Sequence, residues 1–136
     1  MMIVTLLSGG CSAGIKWHGY TFDPVHAEAR RDEKLTFVYL RHWSVVACTD
    51  FEENVLKDPA VREATADYYC VPLDILWDRP LADQWRIAEP PGVVILAPDG
   101  RVLARLTGEI TKDGLLAAIQ TARDEYTAST QPARAP

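Results

Sequence analysis

This sequence predicts an α/β domain, a central mixed β-sheet of about four strands with helices on both faces. Three observations lead there. Short apolar, β-rich runs ("LTFVYL", "YYCVPLD", "GVVIL") alternate with helix-compatible segments. The last two strand runs are joined only by the turn "APDGR", too short for a crossover, so they pair antiparallel. An amphipathic run, "TKDGLLAAIQTARDEY", closes the pattern.

Each element has a local cause. Asp23-Pro24 is read as the start of a helix, the aspartate as N-cap and the proline at the first helical position, continuing through "VHAEARRDEK". Leu35 to Leu40 is a strand buried on both faces. From about Cys48 the chain is helical, and the acids of "TDFEE" form a solvated first turn. Asp58-Pro59 restarts a helix, Tyr68 to Asp74 is a second strand, and "LADQWRIA" is a short helix. Gly92 to Leu96 and "RVLARL" make the hairpin, with Gly100 easing its turn. Leu115, Leu116, Ile119 and Ala122 lie on the inner face of the closing helix.

At 136 residues the chain makes one domain, and with 48% hydrophobic residues it can bury a sizeable core. A net charge of −5 excludes the basic face that sequence-independent nucleic-acid binding needs. No apolar run reaches the roughly 18 residues of a membrane-spanning helix. The three cysteines, Cys11, Cys48 and Cys70, match no zinc spacing and cannot all pair with one another. Residues 1–16 are expected to be a flexible N-terminal segment. It is either a truncated export or lipoprotein signal, with Cys11 as a lipid anchor, or an ordinary chain start. Residues 17–126 form the domain, and 127–136, small, polar and proline-containing, a disordered tail.

The strand "TFVYL", then Trp43 with Cys48, "FEENVLKDPAV", "VPLD", and Pro91 ahead of "GVVILAPDG" together resemble the thioredoxin-like superfamily. The branch they resemble is that of the envelope thioredoxin-like domains of the DsbD C-terminal type. Gly108 before the last helix also fits, and the resemblance spans roughly Trp17 to Tyr126. It implies a thioredoxin fold. It also implies a corner of tryptophan, cysteine, two residues and cysteine, facing a loop proline that is usually cis.

This chain departs from that pattern. Cys48 falls on the second cysteine, and the first falls on Val45, or on Ser44 if one residue is inserted. The buried acid of the preceding strand falls on Tyr39, or on Val38. Dithiol exchange needs an attacking thiolate and a resolving thiol, and the resemblance leaves only the second, which the fold normally buries.

The leading expectation is therefore a degenerate site: a non-catalytic binding or scaffold module whose groove, lined by Trp43, Ser44, Val45 and Pro91, takes an extended peptide or protein partner. Trp43 is expected to be partly exposed, Cys48 and Cys70 to be buried, and Pro90 to remove one backbone donor beside Pro91. The alternative is a single-cysteine thiol-disulfide oxidoreductase, or a redox-responsive protein, using Cys48. A weaker one is copper handling through His42 and Cys48, although a lone thiolate is a poor soft-metal site. His42 is expected at the surface or in a loop, and His18 and His26 show no ligand spacing. Trp77 and Trp85, flanking "DRPLADQ", are expected to cap the core or to line the groove, core packing being the favoured reading. No cofactor is implied. Localisation stays open between the bacterial cell envelope or periplasm, which the resemblance favours, and the cytoplasm.

Overall fold

A computed structural model describes residues 14–130. The chain runs α1 (Phe22–Arg31), β1 (Thr36–Arg41), α2 (Val46–Phe51), a π-helical turn (Glu52–Leu56), α3 (Pro59–Ala64) and β2 (Tyr69–Asp74). It continues through α4 (Arg79–Gln84), β3 (Gly92–Leu96), β4 (Val102–Thr107) and α5 (Lys112–Thr130). The sheet order is β2-β1-β3-β4. β1 and β2 are parallel, while β1 with β3 and β3 with β4 are antiparallel. This is the four-stranded mixed sheet that the alternation of apolar runs predicted, and it follows the thioredoxin fold.

The period of two along β1 divides the core. Phe37 and Tyr39 point to one face, where they meet Phe51, Val61, Leu115 and Ile119 from α2, α3 and α5. Val38 and Leu40 point to the other, against Val25 of α1 and Ala82 and Trp85 at α4. Each such side chain contributes about 1.5–3 kcal/mol on burial, so central β1 is the most firmly held element. β3 is also buried throughout. Its first residue must be glycine, since a Cβ on Gly92 would stand 2.5 Å from Ile87 Cγ2.

Polar bonds tie α5 to the connection between α3 and β2. Tyr68 donates its hydroxyl to the Ile119 carbonyl at 2.7 Å. Arg123 of α5 donates to the Ala64 carbonyl and to Asp67, at 2.7 and 2.8 Å. Asp58 caps α3 as expected, its carboxylate accepting from Ala60 N at 2.8 Å with Pro59 next to it.

Several boundaries differ from the sequence reading. α1 starts at Phe22, with Thr21 and not Asp23 as its N-cap residue, and ends at Arg31. Glu33 there adopts a left-handed φ of 57°, and Lys34 N closes the turn on the Ala29 carbonyl. α2 begins at Val46, ahead of Cys48, and passes into the π-helical turn that no local pattern announced. α4 stops at Gln84 and leaves Trp85 in the following turn. α5 continues past Tyr126 to Thr130, into the segment expected to be a disordered tail. Ser129 and Thr130 there donate to the carbonyls of Tyr126 and Thr127, and Arg101 donates to Ser129. Residues 1–13, with Cys11, and 131–136 lie outside the described residues.

Candidate functional site at the β1–α2 corner

The chain leaves β1 at Arg41 and turns through His42–Val45, closed by Val45 N donating to the His42 carbonyl at 3.1 Å. Trp43 and Ser44 form the tip, both exposed, Trp43 at 73%. Val45 is the N-cap residue of α2 and is half-buried. Cys48 N donates to the Val45 carbonyl at 3.0 Å, which places the two residues one helical turn apart. That geometry favours Val45 over Ser44 as the position of the missing first cysteine. Cys48 is free and only 1% exposed.

Beneath the corner is a group of polar side chains that sequence reasoning missed. Glu52, read as part of a solvated turn, folds inward. Its Oε2 accepts from the Tyr39 hydroxyl at 2.9 Å and from Arg41 Nε at 2.7 Å. The Tyr39 hydroxyl also lies 3.4 Å from the Cys48 carbonyl oxygen. Burial, followed by the bond to Glu52, pushes the Tyr39 phenol far above its ordinary range, so it stays a donor. The bond to Glu52 likewise raises Arg41. The strand carries no acid here, and the carboxylate that meets the Tyr39 hydroxyl comes from the π-helical turn. An arginine ending an otherwise apolar strand was the one available signal, because it needs a partner.

The loop proline has the geometry that the resemblance implied. The Pro90–Pro91 bond is cis and Pro91 is buried. Gly92 pairs with Leu40, so Pro91, one residue earlier, lies across from the Arg41 end of β1, where the corner begins. Trp43, Ser44, Val45 and Pro91 thus share one end of the sheet.

One expectation needs correction. Trp85 is core, but Trp77 is 85% exposed and caps nothing, because it belongs to the β2–α4 loop and not to a helix face. His42 lies in the β1–α2 loop, as expected, and is partly buried. Its Nδ1 lies 3.2 Å from Asp74 Oδ2 and its ring lies against Trp43 at 5.7 Å. Among the described residues no cluster of His, Cys, Asp and Glu has metal-holding geometry. Cys70 behaves as core, and burial pushes its thiol up to about 12. His18 and His26 are held by the fold, His18 Nδ1 accepting from Cys70 N at 3.0 Å and His26 Nδ1 lying 3.0 Å from Thr36 Oγ1.

A model of the family described as "Thioredoxin-like domain" matches residues 22–123. The chain belongs to this family. Over 84 residues it is 32% identical to the thiol:disulfide interchange protein DsbD of Pseudomonas fluorescens, a match covering 57% of this chain and 14% of that protein. Over 92 residues it is 32% identical to DsbD 2 of Pseudomonas aeruginosa, covering 63% of this chain and 16% of that one. It therefore spans only about a seventh of these curated relatives' length. Among solved structures, a thioredoxin from Thermus thermophilus superposes with a TM-score of 0.74 at 20% identity, covering 87% of this chain and 94% of that one. The reduced C-terminal domain of Neisseria meningitidis DsbD gives 0.64 at 18% identity, covering 74% and 92%. These likenesses show the fold. No helix among the described residues is long and apolar enough to cross a membrane.

Proposed function

We propose that this thioredoxin-like domain binds an extended peptide or protein segment at the β1–α2 corner and does not turn over disulfides. The observation that carries this is the pairing of Val45 at the α2 N-cap with a Cys48 only 1% exposed. A substrate disulfide would meet a valine where the attacking thiolate belongs. The remaining cysteine is buried, and its backbone carbonyl lies 3.4 Å from the Tyr39 hydroxyl that also donates to Glu52. What stays at the surface is an exposed tryptophan and a hydroxyl, at the same end of the sheet as the buried loop proline. The names of the curated relatives describe disulfide interchange, and the rival reading gives this chain a single-thiol version of that activity through Cys48.

The test combines two measurements. Insulin reduction by the domain with dithiothreitol should proceed no faster than with dithiothreitol alone. A blocked, neutral, valine- and leucine-rich peptide should bind, and Trp43→Ala should weaken it by about tenfold. Catalysed insulin reduction that Cys48→Ala abolishes would replace this reading with the single-thiol one.

A further inference from the structure

The corner is not the only exposed apolar surface at that end of the sheet. β1 and β2 are parallel neighbours with Arg41 paired to Asp74, so the loops after them emerge side by side. The first carries Trp43 and leads into Val46, the first residue of α2, 73% and 72% exposed; the second carries Leu76 and Trp77, 59% and 85% exposed. A polar clasp joins the two loops. His42, against the Trp43 ring, reaches Asp74 Oδ2 at 3.2 Å, and Asp74 Oδ1 accepts from Leu76 N at 2.9 Å. Exposed large apolar groups are ordinary when single and informative when contiguous, and here four of them stand on or next to two clasped loops.

The charge beside the second loop is acidic. Asp78 follows Trp77 directly; burial and then the charges of Asp74 and Asp23 act upon it, while the next residue, Arg79, is turned to Asp83 and the Ala88 carbonyl. A second copy of this chain would set the same acids against each other across a symmetric contact, which like-charge repulsion disfavours. A membrane with an anionic surface meets the same objection. A cationic group suits the site twice over, through the carboxylates and through the open face of Trp77.

We propose that the Leu76–Trp77 loop is a second anchor that extends the corner groove, and that its occupant is a peptide segment with lysine or arginine next to apolar residues. This rests on the peptide-binding reading of the corner. The apolar residues lie across Trp43 and Val46, and the basic side chain lies over Trp77 toward Asp78.

Three blocked peptides of equal length test it by calorimetry: the neutral valine- and leucine-rich one, the same with arginine at one end, and the same with glutamate there. The arginine peptide should bind about tenfold tighter than the neutral one and the glutamate peptide weaker still. Asp78→Asn should remove the arginine advantage and leave neutral-peptide binding unchanged, and Trp77→Ala should weaken the arginine peptide more than the neutral one. Trp77 is too exposed for its loss to unfold the domain, and thermal melts of both variants would verify that. Equal binding of all three peptides, or indifference to Trp77→Ala, overturns the second anchor and leaves the corner reading standing. No binding of any peptide overturns both. A concentration-dependent dimer in sedimentation that Trp77→Ser dissolves also overturns it, by making a second copy the occupant.

Discussion

The inside and the outside of the β1–α2 corner are built to opposite rules. Inside, Cys48 is sealed, and the Tyr39 hydroxyl, Glu52 and Arg41 satisfy one another over distances of 2.7 and 2.9 Å. No buried side-chain polar atom among the described residues lacks a partner. Outside, Trp43, Val46, Leu76 and Trp77 stand exposed among the described residues. Exposing large apolar side chains gives up burial energy, so the outer surface is where function belongs. The inner set has become structure. The reacting half of a thioredoxin site and its recognition half are separable, and in this chain we read only the second as retained.

The largest expected effect comes from undoing that separation. Val45→Cys restores a thiol one helical turn before Cys48, at the exposed end of α2. The new thiolate can attack a substrate disulfide, forming a mixed disulfide and expelling the first substrate thiolate. Cys48 then attacks the sulfur at 45 and releases the second, leaving the protein oxidised for dithiothreitol to reduce. Insulin reduction should rise from background to a readily measured rate. Continued inactivity, with the variant folded, would mean that the inner set blocks chemistry and does not merely lack a nucleophile.

Next come the stabilities. Glu52→Ala leaves the Tyr39 hydroxyl and Arg41 without their shared acceptor and should cost about 1–3 kcal/mol in urea unfolding. Trp43→Ala, on the outer surface, should stay within about 0.5 kcal/mol. Equal costs would erase the distinction between the two sides.

Smaller effects separate the carboxylates of the outer surface. Burial works to raise Asp74, but bonds from Leu76 and Trp77 backbone N–H groups and from His42 win and hold it below its ordinary value. Burial, then the charges of Asp74 and Asp23, raises Asp78. A depressed carboxylate stabilises the fold above its unfolded pKa and loses that contribution as pH falls through the folded one. A raised carboxylate does the reverse, so its charge at neutral pH opposes folding. Asp74→Asn should therefore lower the melting temperature at pH 7, and Asp78→Asn should raise it, each by about 1–3 °C. Shifts of the same sign would contradict the clasp as described.

The histidines away from the corner give a pH dependence of their own. Burial, and then Lys16 beside His18 and Arg30 beside His26, lowers both from the ordinary 6.5. The folded state then binds fewer protons than the unfolded chain just below that value. Stability should be fully present above about pH 6.5 and decline as pH falls through the lowered pKa values. His18→Asn, which keeps an acceptor for Cys70 N, should flatten the decline in urea midpoint.

The sequence disclosed what depends on local pattern. β1 and β3 were legible because burial on both faces writes an unbroken apolar run, and the hairpin because "APDGR" admits little else. Asp58-Pro59 marked α3 because the cap is made within two residues. Trp43 and Pro91 were legible only through family resemblance. What stayed hidden depends on contacts across the chain. Glu52 looks like any acid in a first helical turn until Tyr39 and Arg41, on another element, are placed beside it. Trp77 and Trp85 carry the same side chain on either side of one short helix. Only the packing of α4 on the sheet buries one and leaves the other in solvent. The π-helical turn has no sequence signature, and it rotates Glu52 into the corner.

The most direct measurement is the rate at which iodoacetamide modifies Cys48 in the native domain at neutral pH, mapped by mass spectrometry and compared with the urea-unfolded chain. A sealed Cys48 reacts only through opening of the fold, so native labelling should be at least about a thousandfold slower than unfolded labelling. Labelling of the native protein at a rate near that of the unfolded chain would show an accessible thiolate. The corner would then be a working single-thiol site and not a binding surface alone.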